Sequence, residues 1–441
     1  MTVGDLLNMP GWQVMVVEEH EDRYVIHARP VSCDPVCPQC GSSAAAKHGK
    51  DHQCLRDLTC HAKHVFIEFS RQRFRCLICK KTWFEPLSGV DERRFATLRL
   101  VRYIQQQSLT RTFAAIALEC GLDEKSIRNL FHDYVEELER SVQIATPVIM
   151  GMDELHLLGQ MRGVITDVQG RSFVEVLPDR KKQTIVRYLA ALPNKEQVQV
   201  CVIDMWRPYL DAIQETLPHV TVVIDKFHVI KKLNEIVEMV RKDIRSSLSE
   251  RQVRQLMHDR FLLLKRPRDL SERDRLVLEG WLGTFPRLKA AYSLKEEFYE
   301  IYDAPAEEEA FDRFFAWEDR VMASCVYDAY LDFLLTIEHW GDQIFAYFRH
   351  RYTGGFVEAA NGIGRVIDRQ GRGYSFDVLR ARLLYGQRMR QRKERTRKRA
   401  VPDDLRAPIS VDEHLPDVVL STLTSPLQSS WEHAQNTTSS G

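Results

Sequence analysis

The stretch that decides the fold is VIMGMDEL (148–155), followed by RGVITDV (162–168), SFVEVLPD (172–179), TIVRYLAAL (184–192), VQVCVID (198–204), WRPYLDAIQETL (206–217) and TVVID (221–225). Five of these segments are short apolar runs that read as strands, and two carry helical spacing. Turn residues around Gly170 separate the second strand from the third. The order is β-β-β-α-β-α-β, with helix resuming from about Phe227.

Three strands as a meander, then strands alternating with helices, is the order of a ribonuclease-H-like core. Three acidic residues fall where such a core would place metal ligands. Asp153 ends the first apolar run and Asp204 ends VQVCVID; both are expected at the C-terminal ends of their strands. Glu358 lies far downstream in GGFVEAANGIGRVID (354–368), which reads as helix. Carboxylates so arranged can hold two divalent cations about 3.5–4 Å apart, which serve phosphoryl transfer on nucleic acid. A strand-closing Asp is more often a turn former or helix cap, and Asp204 could cap the helix after it, so the set weighs more than its members. Asp225, which closes the fifth strand in DKFH (225–228), competes with Asp204 for the second metal position, and the residues alone leave both open. His228 could orient a carboxylate, contact the scissile phosphate, or simply be a half-buried polar residue at a helix start. Asn361 stands one helical turn beyond Glu358 on the same face.

The chain has 441 residues, enough for two or three domains, and is 44% hydrophobic and 28% charged, which suits folded cores. Its 62 basic and 62 acidic residues cancel, but unevenly: Arg365–Arg399 holds 13 Lys or Arg against 3 Asp or Glu. The start, MTVGDLLNMPGW, lacks the basic and apolar regions of a secretory signal, and no apolar run reaches membrane-spanning length, so no membrane partner is expected.

Seven of the ten cysteines lie between Cys33 and Cys79. In a cytosolic protein such clustering points to metal rather than disulfides. Cys37-Pro-Gln-Cys40-Gly and Cys76-Leu-Ile-Cys79-Lys are two knuckles, each with a spacing that lets both thiolates reach one tetrahedral ion, and Gly41 frees the backbone to turn. The 35 residues between them include the strand-like HVFIEFSRQRFRC (64–76), as in a zinc ribbon with a hairpin between its halves. Cys33, Cys54, Cys60, His61 and His64 are nearby substitutes as ligands. Arg71, Arg73 and Arg75 alternate along one strand face and suit either phosphate contact or plain solvation. Ahead of the knuckles, WQVMVVEE (12–19) and YVIHA (24–28) read as a hairpin.

TFAAIALECGLDEKSIRNLFHDYV (112–135) has the pattern of a helix-turn-helix. Ala114, Ala117 and Leu118 are expected on the apolar face of its first helix, with Gly121 at the turn, Asp123 or a neighbour capping the second helix, and Ile127 and Leu130 packing inward. Lys125, Ser126, Arg128 and Asn129 would then face a DNA groove. From about 230 to 350 the pattern is helical without interruption, which reads as an all-α insertion ahead of the helix carrying Glu358. Gly371, Gly373 and Tyr374 make a basic turn with Arg372, and RMRQRKERTRKR (388–399) suits phosphate contact. The polar tail from about 400 is expected to be disordered.

The order CPQCG (37–41), RFRCLIC (73–79), a helix-turn-helix, GMDE (151–154), IDMWRPY (203–209), VIDKFH (223–228), GGFVEAANGIGR (354–365) and RGYSF (372–376) resembles the bacterial DDE transposases of the ISL-three family of insertion sequences. The resemblance covers roughly residues 33–390, with a departure at Gly355 and Phe356, where a more polar pair would be expected. It implies a zinc-binding domain (1–90), a helix-turn-helix region (91–146) and a ribonuclease-H-like catalytic domain (147–400) with the insertion at about 230–350. Residues 401–441 would be the tail. It matches Asp153, Asp204, Glu358 and Asn361 to the family's catalytic positions, and Asp225 and His228 to its D-x-F-H motif. The similarity of that motif to the signature of Mutator-like and hAT transposases favours Asp204 over Asp225. The implied activity is cleavage and strand transfer at inverted repeats by a cytoplasmic, nucleoid-associated bacterial enzyme, with structural Zn²⁺ and two catalytic Mg²⁺ or Mn²⁺ ions. Its partners would be double-stranded DNA and a second copy of the chain. A catalytically silent DNA-binding regulator and a stand-alone nuclease are the alternatives.

Overall fold

In the computed structural model, residues 8–31, 34–371, 373–386 and 388 are described, and of Glu358 only the backbone. The N-terminal sheet begins with a hairpin of β1 (Trp12–Glu19) and β2 (Arg23–Pro30), as its alternation predicts. A longer hairpin follows, β3 (Ala45–Cys60) with β4 (Lys63–Cys76), and then the short β5 (Thr82–Phe84), β6 (Val90–Asp91) and β7 (Ala96–Thr97). The order is β1-β2-β4-β3-β7-β6, with β5 on β4. The long hairpin closes with a two-residue loop, His61 and Ala62, both at positive φ (52° and 61°), the backbone that lets a tight turn follow strand twist.

Three helices come next: α1 (Leu98–Ser108), α2 (Phe113–Cys120) and α3 (Glu124–Ser141). Their starts are capped by the side chains of Thr97, Thr112 and Asp123, and Gly121 ends α2 in the left-handed region (φ 64°). Ile127 and Leu130 pack inward as expected, with Phe131. The face of α2 differs from the expectation. Because the helix starts at Phe113, its buried row is Phe113, Ile116, Ala117 and Cys120, spaced i, i+3, i+4, i+7. Ala114 and Leu118 lie on the solvent side, Leu118 being 84% exposed.

The second sheet contains β8 (Ile149–Leu157), β9 (Gln160–Asp167), β10 (Ser172–Val176), β11 (Val200–Ile203) and β12 (Thr221–Ile224), with α4 (Lys182–Ala190) and α5 (Arg207–Thr216) as crossovers. Its order is β10-β9-β8-β11-β12. The meander strands pair antiparallel, while β8, β11 and β12 are parallel. This is the ribonuclease-H-like arrangement. Asp153 is not at the end of its strand: β8 continues to Leu157 because the hairpin with β9 carries its pairing on to Leu157–Gln160.

After β12 the described chain is helical as far as His350: α6 (Lys226–Asp243), α7 (Glu250–His258), α8 (Arg260–Leu264), α9 (Glu272–Thr284), α10 (Pro286–Ile301), α11 (Glu307–Met322), α12 (Tyr327–Phe345) and α13 (Tyr347–His350). Then come α14 (Gly355–Gly371) and α15 (Phe376–Ala381). Each face of the second sheet supports a core. Met150, Met152, Cys201, Ile203 and Ile224 share one with Ile185, Tyr209 and Val229, and it extends to Phe298, Trp317, Tyr330 and Phe333 of the helical insertion. Leu155, Leu157, Val164, Phe173 and Val176 share the other with Leu100, Ile104, Phe113 and Phe131 of the three-helix unit and with Ala360 of α14. The helix-turn-helix is therefore packed onto the sheet that carries the acidic residues. Among the described residues no helix is long and apolar enough to cross a membrane.

Candidate active site

Strand register brings the acidic residues into line. Met152 of β8 pairs with Ile203 of β11, and Ile203 pairs with Ile224 of β12. The residue after each of these is an aspartate, so Asp153 within β8 and Asp204 and Asp225 just past β11 and β12 form one row. Their side chains then part company. Oxygens of Asp153 and Asp204 and a ring nitrogen of His228 lie within 4.8 Å of one another. Asp225 is buried beside this group and is spent on backbone: its Oδ1 accepts from the N–H of Phe227 (3.3 Å) and of Gly354 (3.0 Å). Its Oδ2 stands 3.7 Å from Nδ1 of His228.

Helix α14 crosses β8 closely enough to complete the site. A Cβ on Gly151 would fall 2.7 Å from Cγ2 of Val357, and one on Gly364 would fall 2.3 Å from Cδ2 of Leu155. The absence of both side chains lets the helix approach the strand. Asn361, between those contacts, donates from Nδ2 to Oδ2 of Asp153 (2.7 Å) and to the carbonyl of Glu154 (3.4 Å). Glu358 belongs to the same helix, three residues before Asn361; its side chain is outside the described set.

Burial raises the titration of Asp153 above the usual carboxylate range. Burial, then the Asp153 charge, pushes Asp204 up to about 7. For His228 burial disfavours the charged ring, but Asp225, Asp153 and Asp204 outweigh it and raise its pKa. Several buried polar atoms here have no hydrogen-bond partner: Oδ1 of Asp204, Nδ1 of His228, Oε1 of Glu154, Oδ1 of Asn361 and Nε1 of Trp206. Two carboxylates forced together, with orphaned oxygens, are the donor set of a hard divalent cation, whose charge removes their repulsion. The residues present fit such an ion.

Sequence reasoning passed over Glu154, Arg180, Trp206 and Tyr209. The hydroxyl of Tyr209 donates to the carbonyl of Asp153 (3.0 Å), and Arg180 pairs with Glu154 (2.5 Å) with its guanidinium 4.5 Å over the Trp206 ring. The signal was adjacency: Glu154 follows Asp153, and Trp206 and Tyr209 lie just after Asp204.

In the N-terminal domain the four knuckle sulfurs converge. Cys37 and Cys79 are 3.5 Å apart, Cys40 and Cys76 3.6 Å, and all four lie within 4.8 Å of one another. Tetrahedral zinc with bonds of about 2.3 Å sets its sulfurs roughly 3.8 Å apart, so these thiols fit a structural zinc ion. Each knuckle turns through a left-handed residue after its second cysteine, Gly41 (φ 71°) and Lys80 (φ 64°). The N–H groups of Cys79 and Ile78, each 3.4 Å from Sγ of Cys76, help bring that thiol down to about 6. The other proposed ligands are elsewhere. Cys60, His61 and His64 sit at the far tip of the β3–β4 hairpin and Cys54 partway along it, whereas the knuckles are at its open end. Fourteen residues of strand span about 45 Å. Cys33 is outside the described residues.

Arg71 corrects the picture of an arginine-lined strand face. It is buried, donating to the Glu85 carbonyl (2.9 and 2.6 Å) and to Glu92 (2.7 Å), and it holds β4 to the following loop; Arg73 and Arg75 stay exposed. On α3, Lys125, Arg128 and Asn129 are exposed. Ser126 is half-buried and its hydroxyl donates to the capping Asp123 (2.8 Å), so it serves the helix start. Arg372 and, apart from Arg388, the basic run 388–399 are outside the described residues, as is the tail from 401.

Comparison with known proteins agrees with this layout. Residues 34–79 match the zinc finger of the transposases IS204, IS1001, IS1096 and IS1165, and residues 85–135 match the helix-turn-helix domain of transposase family ISL3. Residues 150–383 match the ISL3 transposase model. The chain is 26% identical over 383 residues to the transposase for insertion sequence element IS1001 of Bordetella parapertussis, covering 83% of this chain and 93% of that protein. It is 25% identical over 249 residues to the transposase for IS1557 of Mycobacterium tuberculosis, covering 50% and 55% of the two chains. With its zinc-ribbon, helix-turn-helix and transposase regions in this order, the chain belongs to the ISL3 family of transposases.

Proposed function

We propose that this transposase binds the inverted repeats of an insertion sequence and carries out metal-dependent cleavage and strand transfer at the element ends. The observation that carries the reading is the meeting of Asp153, Asp204 and His228 within 4.8 Å, with Asp153 and Asp204 level on two neighbouring parallel strands. Asp153 and Asp204, with Glu358 from α14, would hold Mg²⁺ or Mn²⁺; when bound, two such ions activate the attacking oxygen and stabilise the leaving one. Asn361 donates to Oδ2 of Asp153 and the N–H of Glu154 to Oδ1, which holds the carboxylate in place with a lone pair on each oxygen left for the cation. His228 would meet either the ion or the scissile phosphate.

Lys125, Arg128 and Asn129 would meet the repeat in its groove, and Arg372 and the basic segment after it would meet phosphate. The close packing of the helix-turn-helix on the sheet supports delivery of a bound end to the acidic cluster. The enzyme would act on bacterial chromosomal DNA in the cytoplasm, as a homodimer or larger assembly holding two ends. The test is incubation of purified protein with DNA carrying the candidate repeats and Mg²⁺. Free 3′-OH ends and joined products support the reading. Binding without cutting would make the chain a regulator, and cutting without joining a nuclease.

A further inference from the structure

Asp225 is in the acidic row but lies outside the group formed by Asp153, Asp204 and His228, and its contacts define a separate task. The carboxylate caps two helices at once. It is the N-cap of α6, accepting from Phe227, and it accepts from Gly354, the residue preceding α14. The first N–H groups of a helix have no partner within the helix, and the helix dipole favours an anion there. One buried carboxylate therefore fixes the starts of two helices that are 129 residues apart in sequence at this contact. The approach is so close that a Cβ on Gly354 would lie 2.4 Å from Oδ2 of Asp225.

The segment leading to this contact is fastened on its other side. Arg351, at positive φ (52°), donates to the carbonyls of Ala304 (2.6 Å) and Pro305 (2.8 Å), just beyond α10 of the insertion. The hydroxyl of Tyr352 accepts from Gln169 (3.3 Å) at the β9–β10 turn. Beyond the Gly354 anchor the helix runs directly into the Val357–Gly151 contact and the Asn361–Asp153 hydrogen bond. Sliding α14 along β8 would break both. The same carboxylate stands 3.7 Å from Nδ1 of His228.

We propose that Asp225 is a positioning residue: it holds no cation, but sets the placement of helix α14, which carries Glu358 and Asn361. This rests on the reading of function given above. The experiment uses full-length wild type, Asp225→Ala and Asp225→Asn, with hydrogen exchange across 351–361 and single-turnover cleavage of repeat DNA in Mg²⁺. Asp225→Ala should lose exchange protection at the start of α14 and about 100-fold in cleavage, with repeat binding within about threefold. Asp225→Asn retains an oxygen that can accept from Gly354, so it should keep the protection and lose only about tenfold. Should Asp225→Ala not fold, Gly354→Ala, which forces the same contact apart, carries the same expectations. Unchanged exchange with cleavage within about threefold of wild type in the alanine variant would overturn the role of Asp225. A wild type that cuts no repeat would instead overturn the reading of function.

Discussion

Asn361 and Asp153, 208 residues apart in sequence, are joined by a 2.7 Å hydrogen bond from amide to carboxylate. It ties the helix after the insertion to the first parallel strand and fixes one oxygen of a proposed metal ligand. Asn361→Ala should lower single-turnover cleavage by about 10- to 100-fold while leaving repeat binding, read by gel shift, unchanged. A cleavage rate equal to wild type would remove Asn361 from the site.

Asp204 titrates near 7 in the folded protein, whereas an unfolded Asp titrates at about 4. The folded state therefore binds the extra proton between those values. This contribution to stability is fully present below about pH 4 and is lost as pH rises through 7. Asp204→Asn should consequently stabilise the metal-free protein by on the order of 1–2 kcal/mol at pH 8, with little gain at pH 4. Denaturant melts at the two pH values measure this, and equal gains at both would contradict it.

The broad fold was legible because strands and helices write their periods directly into the chain, and the order VIMGMD, VQVCVID, TVVID names three parallel strands. That Asp153 would meet an aspartate from a neighbouring parallel strand also followed from strand order, with Asp204 and Asp225 both left open. The division of labour between Asp204 and Asp225 did not, because it depends on Gly354, which arrives from beyond the helical insertion to take the Asp225 carboxylate. Arg71 looked like its exposed neighbours because alternation along a strand does not reveal that Glu85 and Glu92 fold over one face. The length of the β3–β4 hairpin removed Cys60, His61 and His64 from the zinc site, and local spacing could not show that.

The knuckle sulfurs predict about one zinc per chain in this domain. Cys76→Ser should release it and destabilise the open end of the β3–β4 hairpin, whereas Cys54→Ser and Cys60→Ser should keep it. Metal analysis after dialysis decides the matter; zinc loss from Cys60→Ser would contradict the four-thiolate assignment.

On α3 the exposed side chains divide by role. Lys125→Ala should weaken binding to repeat and unrelated DNA alike and flatten the salt dependence, while Asn129→Ala should cost about 1–3 kcal/mol on the repeat alone. Ser126→Ala should act through the helix start, lowering the melting temperature with little change in repeat preference. Fluorescence anisotropy over a salt series separates these outcomes.

Asp204, rather than Asp225, is proposed as the second carboxylate on the cation. Replacing each with cysteine tests it, because a thiolate is a poor ligand for Mg²⁺ and a better one for Mn²⁺. Single-turnover cleavage by Asp204→Cys should fall by on the order of 1000-fold in Mg²⁺ and recover at least about tenfold in Mn²⁺, whereas Asp225→Cys should show no such metal switch. Wild-type cleavage by Asp204→Cys in Mg²⁺, or a Mn²⁺ rescue confined to Asp225→Cys, would contradict it.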